Sequence, residues 1–440
     1  MENLSHIFVN LRRRFVPSGV GRLAGANLVS QLCALVTIPL LTRWCNLADF
    51  GLLQIYLTIT TLGGSVACLR YDYALLQPED NSTAARLGLL SFLAALGSGF
   101  LAIAIVPVLS HSFKTEGWLE LAHFAPTVGF TVAIAGMSSA ANQWLVRIGR
   151  FHNIAQARVA QSMTVSALQL SGAVIGLGGT GLILGDAVGR FAGLIILLRC
   201  SGLFKGLPRE RAGLNRLFHL GKRYIRFPAI ATPSALINAI GFSLPSFIIE
   251  RFFGTSGLGV FSLLERVMGI PTLFVGQPLS QTFIHRLRQA IPCGPVAAQT
   301  EIRETARKAA ILGLVPFVAL ALFGPVLFSF VFGERWRITG ELAQRLALPY
   351  YVAYALWPVM PTVYILNRLR TQMIWDVCRA AILMCFVWLG GLNALRLNGM
   401  ISAIVVVMSS FGVIHYLLCQ TAAGRIDQSV PVSQEAGCTK

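Results

Sequence analysis

Charged side chains are scarce in this chain: Asp, Glu, Lys and Arg make up 12% of its 440 residues, against 55% hydrophobic residues. Soluble domains carry roughly 25% charged residues, so the composition excludes an ordinary soluble domain. The mean hydropathy of +0.66 agrees with this. The apolar runs are continuous rather than alternating with polar residues, which disfavours a transmembrane β-barrel. We therefore expect an all-α integral membrane protein, whose helices satisfy their own backbone hydrogen bonds.

Motifs that bind metals or build disulfide frameworks are missing as well. The nine cysteines are scattered without a CxxC pair, and the seven histidines include no HExxH pattern. The sequence therefore predicts no metal site and no cofactor.

Acidic residues are also few: Asp and Glu number 18 against 36 Lys and Arg, for a net charge of +18. Nucleic-acid binding is one explanation of such a charge. A membrane protein offers another, because Lys and Arg concentrate in cytoplasmic loops. With both termini placed inside, most basic residues fall in the N-terminal segment, the alternate loops and the C-terminal tail. The pattern predicts cytoplasmic termini and no nucleic-acid partner.

The N-terminal stretch LRRRF at 11–15 could open a signal peptide, but the apolar run behind it continues to about Leu41. Such a run is too long for a signal-peptide core and predicts a first membrane span. Runs long enough to cross a hydrocarbon core of about 30 Å recur along the chain. We expect about twelve spans, near 20–42, 50–69, 84–109, 120–145, 155–177, 179–199, 227–249, 256–283, 308–332, 342–365, 371–392 and 398–419.

The longest loop is basic and divides these spans into two sets of six. This predicts a cytoplasmic N-terminal segment (1–19), an N-lobe (20–199), a basic cytoplasmic linker (200–226), a C-lobe (227–420) and a disordered cytoplasmic tail (421–440). Six spans in each half would make the halves parallel repeats around a central cavity. A small sequence echo supports a repeat: Arg43 and Gly51 are spaced like Arg251 and Gly259, each pair lying at a predicted turn.

Several stretches in a fixed order carry a family resemblance. They are RWCNLADFGLLQIYLTITTLGGSVACLRYDYALLQPED at 43–80, FHNIAQARVAQS at 151–162, GLILG at 181–185, then PSALINAI, ERFFGTSGLGVFSLLERV and GIPTLFVGQPLSQTF, and FGERWRITGE at 332–341. Together they resemble the Wzx-type O-antigen and exopolysaccharide flippases of the multidrug/oligosaccharidyl-lipid/polysaccharide exporter superfamily. The resemblance covers about residues 18–420.

The resemblance implies two six-helix lobes, alternating access and export of undecaprenyl-diphosphate-linked oligosaccharides across the bacterial inner membrane. The implied partners are that substrate, membrane lipids and a polysaccharide polymerase with its chain-length machinery. No catalytic residue is expected. One alternative is a multidrug or organic-cation exporter of the same superfamily, which should have a more acidic cavity. Another is a membrane polysaccharide polymerase, which needs catalytic carboxylates or a metal on an aqueous face.

A flippase cavity needs cations for the diphosphate, and Arg suits this role because its planar fork binds phosphate bidentately. Arg266 lies about ten residues into the eighth predicted span, where a charged side chain seldom faces lipid. It also shares one helical face with small and polar residues. A structural pair with a carboxylate is the alternative. The other predicted substrate-binding residues are Arg22, Asn27, Gln31, Arg70, Arg158 and Asn238.

These further candidates have structural explanations too. Snorkelling to the interface is the alternative role for Arg22, and anchoring of the topology is the alternative role for Arg70. Arg158 opens a polar stripe with Ser162, Ser166 and Gln169, which hydrogen bonds between helices explain as well as a cavity does. An ion gradient could drive transport, with Asp72, Asp186, Glu265 and Asp376 as predicted ion-binding residues. The spacing of Asp186 and Arg190 predicts a pair within one helix.

Overall fold

The structure is a computed structural model that describes residues 18–203, 214–366, 368, 371, 374, 375, 377, 378, 381, 382 and 397–424. Within these, the side chains of 18–24, 26–28, 214–216, 364, 397 and 398 lie outside the description. All regular structure in the described part of the chain is helical. The chain divides into two units, Met1–Ser243 and Leu244–Lys440.

The first unit is built from long apolar helices joined by short turns. In chain order they are α1 (Ser18–Trp44), α2 (Leu47–Val66), α3 (Tyr71–Ala74), α4 (Asn81–Phe113), α5 (Glu116–His123), α6 (Ala125–Arg147), α7 (Phe151–Val174), α8 (Gly178–Ser201) and α9 (Leu214–Arg223). A π-helical turn at Phe227–Ala231 leads into α10. Helices α5 and α6 meet at a bend of 74° and together match the fourth predicted span.

One carboxylate fixes the starts of two helices in this unit. Asn46 and Asp49 cap α2 reciprocally, each side chain accepting from the other residue's backbone N–H at 2.8 Å. The Asp49 carboxylate also accepts a hydrogen bond of 2.7 Å from the Gly179 backbone at the start of α8. Asp49 therefore ties the N-terminus of α2 to that of α8, where a negative charge is favourable.

Glycines let α7 and α8 approach closely. A Cβ at Gly189 would clash with Val165 Cγ2 and lie 2.8 Å from the Val165 backbone nitrogen, and one at Gly172 would lie 3.0 Å from Gly181 Cα. Small residues at such contacts are a common basis of helix packing in membranes. The same device recurs in the second unit, where a Cβ at Gly340 would lie 2.6 Å from the Gly324 carbonyl oxygen.

The second unit holds most of α10 (Thr232–Pro271), a π-helical turn (Thr272–Gly276), α11 (Gln277–Ala290), α12 (Pro295–Phe332), α13 (Arg337–Leu356), α14 (Thr362–Ile365) and α15 (Leu397–Gly424). Helix α10 is interrupted at Gly254, whose φ of 67° and ψ of −170° are not helical. The break falls inside the turn predicted between spans seven and eight. Cys293 is disulfide-bonded, which the scattered cysteines did not predict.

Five helices of the described part are long and apolar enough to cross a membrane, or six when the bent pair α5–α6 counts as one span. The chain is thus a multi-pass membrane protein. The total of about twelve crossings stays a prediction, and the eleventh expected span, 371–392, lies largely outside the described residues.

Candidate functional site

Three of the predicted site residues are described only in part or not at all. Arg22 and Asn27 belong to α1, but their side chains lie outside the described residues, as does the whole of Asp376. Gln31, also on α1, is half-buried. Substrate contact by Arg22, Asn27 and Gln31 and ion binding by Asp376 therefore stay predictions.

A buried polar network lies among α2, α6 and α8 of the first unit. Arg190 Nε donates to the Asp186 carboxylate at 2.6 Å, so the predicted pair within α8 is confirmed. Tyr56 of α2 lies near both charges. Its hydroxyl also shares a 2.8 Å hydrogen bond with the Thr131 hydroxyl of α6. Asp186, predicted as an ion-binding residue, is thus held by a cation and neighbours a tyrosine that sequence reasoning missed.

The polar stripe on α7 is used for contacts between helices. Ser162 donates to the Ser30 carbonyl of α1 at 2.9 Å, and Gln169 donates to the Leu182 carbonyl of α8 at 2.9 Å. Both bonds join α7 to a backbone oxygen of a neighbouring helix. They support the structural explanation of the stripe, hydrogen bonding between helices. Arg158, one turn before Ser162, is exposed.

Asp72 lies on α3, a single helical turn that follows α2. It is 3% exposed and accepts a hydrogen bond of 2.6 Å from the Ser139 hydroxyl of α6. Its second carboxylate oxygen, Oδ1, is buried without a hydrogen-bond partner among the described residues. The preceding residues Leu69 and Arg70 both have left-handed φ values, 48° and 60°. Burying an unpaired carboxylate oxygen and holding two such residues both cost free energy.

Arg70 directly precedes α3, as its N-cap residue. Its guanidinium carbon lies 5.0 Å from the ring centre of Tyr73, a cation–π contact within the same turn. Arg70 is half-buried, whereas Tyr73 is 46% exposed. The geometry is compatible with both of the roles that the sequence left open, anchoring and substrate contact.

In the second unit, the pair Glu265 and Arg266 lies in α10 after the break at Gly254. The Tyr350 hydroxyl of α13 donates a hydrogen bond to the Glu265 carboxylate, joining two helices through residues 85 apart in sequence. Glu265 keeps an exposed side, and Arg266 is half-buried. Asn238, earlier in the chain on α10, is exposed. Tyr350 lies next to Tyr351 and near Tyr354 in the sequence, but nothing in the sequence pairs Tyr350 with Glu265.

The described residues contain no group of three or more His, Cys, Asp or Glu side chains placed to share a metal ion. Instead, the described carboxylates of the site lie apart from one another along the chain, and each has a partner. Asp186 pairs with Arg190, Asp72 with Ser139 and Glu265 with Tyr350. Such groups can bind, orient and release a charged or hydroxylated solute.

A model of a family described as polysaccharide biosynthesis proteins matches residues 40–339. The chain belongs to this family. The match runs from the end of α1 to the start of α13, so it includes Asp72, Asp186, Glu265 and Arg266.

Among curated proteins, the chain is similar to the teichuronic acid biosynthesis protein TuaB of Bacillus subtilis (strain 168), with 23% identity over 137 residues. That match covers 29% of this chain and 26% of the relative, so it spans about a quarter of TuaB.

Among solved structures, an outward-facing multidrug resistance MATE transporter of the MOP superfamily matches with a TM-score of 0.60 and 14% identity, over 93% of this chain and 96% of that one. The Vibrio cholerae MATE transporter VcmN, in a mutant form, matches with a TM-score of 0.57 and 12% identity, over 92% and 95%. These likenesses show the fold. The chain is a multi-pass membrane protein of the polysaccharide biosynthesis family with a MATE-like transporter fold, and its regular structure is helical throughout the described residues.

Proposed function

We propose that this protein is a flippase that moves an oligosaccharide linked to undecaprenyl diphosphate from the cytoplasmic to the outer face of the bacterial inner membrane. The observation that carries the proposal is the family match over residues 40–339 on a chain with a transporter fold. A saccharide built on a lipid carrier at the cytoplasmic face has to cross the membrane to be used outside, and a transporter fold supplies the means. The product would serve polysaccharide or lipopolysaccharide synthesis.

The proposed substrate determines which groups the protein has to provide. A diphosphate carrying sugars cannot cross hydrocarbon unaided, because burying unpaired charge costs many kcal/mol. The flippase must offer cations to the diphosphate and polar groups to the sugars, while the isoprenoid chain stays in lipid. We propose Arg266 as the principal phosphate ligand, with Arg22, Asn27, Gln31, Arg70, Arg158 and Asn238 as further substrate-binding residues.

We further propose how the chain is arranged in the membrane. About twelve spans form an N-lobe (20–199) and a C-lobe (227–420) that work by alternating access, and both termini are cytoplasmic. An ion gradient drives the cycle through one of Asp72, Asp186, Glu265 and Asp376. A polymerase and its chain-length machinery act on the product after release. The protein itself makes and breaks no covalent bond.

Purified protein in liposomes tests this function against its alternatives. A fluorescent lipid-linked oligosaccharide loaded in one leaflet should become accessible in the other at a rate that rises with protein content, and its glycan should stay the same length. Growth of the glycan would indicate a polymerase instead. Movement of an organic cation, with no movement of the lipid-linked sugar, would indicate a multidrug exporter.

A further inference from the structure

Helix α9 (Leu214–Arg223) lies outside the predicted spans and is fixed along one face to the first unit. Leu217 is 7% exposed, and Gly221 is buried. The Tyr71 hydroxyl donates to the Gly221 carbonyl at 3.2 Å. Leu220 and Tyr224 pack against the apolar cluster that includes Tyr71. This face of α9 is therefore part of the protein's core.

A second face of α9 and of the turn behind it is apolar and uncovered. Phe218 is 72% exposed and Ile225 is 53% exposed. The two residues are seven positions apart, so they lie on nearly the same side of a helical turn. Burial of this side in an apolar environment would be favourable, and nothing in the first unit provides it among the described residues.

A third face is basic. Lys222, Arg223 and Arg226 are all exposed. At 100° per residue, Lys222 lies next to the Phe218 and Ile225 side, and Arg226 follows beyond Lys222. We call these three residues the α9 cations. Around this short helix, the face packed on the protein is therefore followed by an apolar face and then by a cationic face.

A helix that lies on the protein at the membrane surface meets the same three environments in this order: the protein, the acyl chains and the phosphate headgroups. Interfacial helices place aromatic and aliphatic side chains at the acyl boundary and Lys or Arg among anionic headgroups. An acidic protein segment would match the cations, but it would leave Phe218 and Ile225 uncovered. The charge of the cations and the adjacent apolar pair together favour lipid as the occupant.

We propose that α9 is a binding site for anionic phospholipid at the membrane surface. Phe218 and Ile225 enter the acyl boundary, and the α9 cations hold the phosphate groups. Because α9 is pinned to Tyr71, beside Asp72 and Arg70, the bound lipid fixes the end of α2 and α3 at the level of the headgroups. The proposal does not depend on which solute the protein transports.

Photo-crosslinking of the full-length protein in liposomes tests the site. Diazirine-labelled phosphatidylglycerol or phosphatidylcholine is included as a tracer in vesicles of the two lipids, and the cross-linked peptides are mapped by mass spectrometry. We expect cross-links within 217–227, with a several-fold preference for phosphatidylglycerol. The K222Q/R223Q/R226Q variant should lose the preference while retaining cross-links to both lipids. Phe218→Ser should reduce cross-linking of both lipids in this segment.

A matched variant separates this site from general attraction of basic segments to anionic lipid. R286Q/R288Q/R303Q also removes three exposed cations, on α11 and α12, and should leave the preference at 217–227 unchanged. Equal loss of preference in both triple variants would overturn the proposal. The proposal would also be overturned if other segments were labelled but 217–227 carried no lipid cross-links. That result would favour an acidic protein segment as the occupant. Size-exclusion profiles verify that each variant is folded.

Discussion

Tyr350 of α13 donates a hydrogen bond to the Glu265 carboxylate of α10, so a tyrosine holds the acidic neighbour of Arg266 from another helix. Arg266 and Glu265 are adjacent in sequence and therefore point about 100° apart around α10. Fixing Glu265 on α13 also fixes the direction in which Arg266 leaves the helix. The proposed phosphate ligand thus depends on a residue that the sequence did not connect with it.

Replacing Tyr350 by Phe should destabilise the protein by about 1–3 kcal/mol, the usual cost of losing a hydrogen bond to a charged or buried group. Glu265→Gln keeps an acceptor for the tyrosine hydroxyl and should cost less. Thermal unfolding in detergent micelles, followed by tryptophan fluorescence, gives both effects. An unfolding midpoint of Tyr350→Phe equal to that of the wild type would show that this bond does not stabilise α10 against α13.

The Asp186–Arg190 pair should be worth much more than a surface pair of the same spacing. Its side chains are 10% and 25% exposed, whereas those of Glu304 and Lys308, also four residues apart, are 52% and 46% exposed. Removing one partner of a buried pair leaves an uncompensated charge and costs about 3–5 kcal/mol. An exposed pair contributes less than about 1 kcal/mol.

Double-mutant cycles measure the two pairs directly. Asp186→Asn, Arg190→Gln and their combination form one cycle, and Glu304→Gln, Lys308→Gln and their combination form the matched one. We expect a large coupling free energy of unfolding in the first cycle and a small one in the second. Equal coupling in both would mean that the Asp186–Arg190 pair is solvated in the membrane-embedded protein.

Gly189→Ala should separate α7 from α8, because the new methyl group would lie 2.8 Å from the Val165 backbone nitrogen, which cannot swing aside. Overpacking of this kind costs about 1–3 kcal/mol. Gly97→Ala on α4 is the control, since its Cβ would meet nothing within 4 Å. Unfolding midpoints in micelles should fall for Gly189→Ala and hold or rise for Gly97→Ala. A lower midpoint for Gly97→Ala than for Gly189→Ala would contradict the close packing of α7 on α8.

Stability should depend on pH through Asp80, the cap of α4. Hydrogen bonds from the Ser82 and Thr83 hydroxyls and backbone N–H groups hold the pKa of Asp80 below its ordinary value. A lowered folded-state pKa stabilises the fold above the unfolded-state pKa of about 3.9, and this contribution is lost as the pH falls below that value. Asp80→Ser keeps a capping oxygen that does not titrate.

The measurement is the difference in unfolding midpoint between wild type and Asp80→Ser as the pH is lowered from about 5 to about 3, across the unfolded-state pKa of Asp. The wild type should lose more stability over this range than the variant. Parallel loss in both proteins would show that the Asp80 cap contributes no pH dependence.

Local signals in the sequence predicted much of the fold. The turn predicted between spans seven and eight contains the break that the structure has at Gly254, and the four-residue spacing of Asp186 and Arg190 predicted their pair. Hydropathy placed the ninth span from 308, yet α12 begins at Pro295. A hydropathy average cannot detect this amphipathic extension, although its buried residues keep helical spacing, as Ala298, Ile302 and Thr305 show.

Contacts between distant residues could not be predicted in this way. Tyr350 and Glu265, Ser139 and Asp72, and Asp49 and Gly179 lie far apart in sequence. Which helices are neighbours decides these pairs, and one sequence shows only which face of each helix is polar. The left-handed backbone of Leu69 and Arg70 was hidden for a related reason, because neither is a residue type that favours that conformation.

We propose that Arg266 enables this chain to move a diphosphate-linked oligosaccharide across the membrane. The direct measurement is the translocation rate of such a lipid in liposomes containing wild type, Arg266→Lys, Arg266→Ala or Arg251→Ala, where Arg251 is an exposed cation on the same helix near the Gly254 break. We predict nearly normal rates for Arg251→Ala, a reduced rate for Arg266→Lys because a point charge replaces the planar fork, and almost none for folded Arg266→Ala. Wild-type translocation by a folded Arg266→Ala variant would contradict the account.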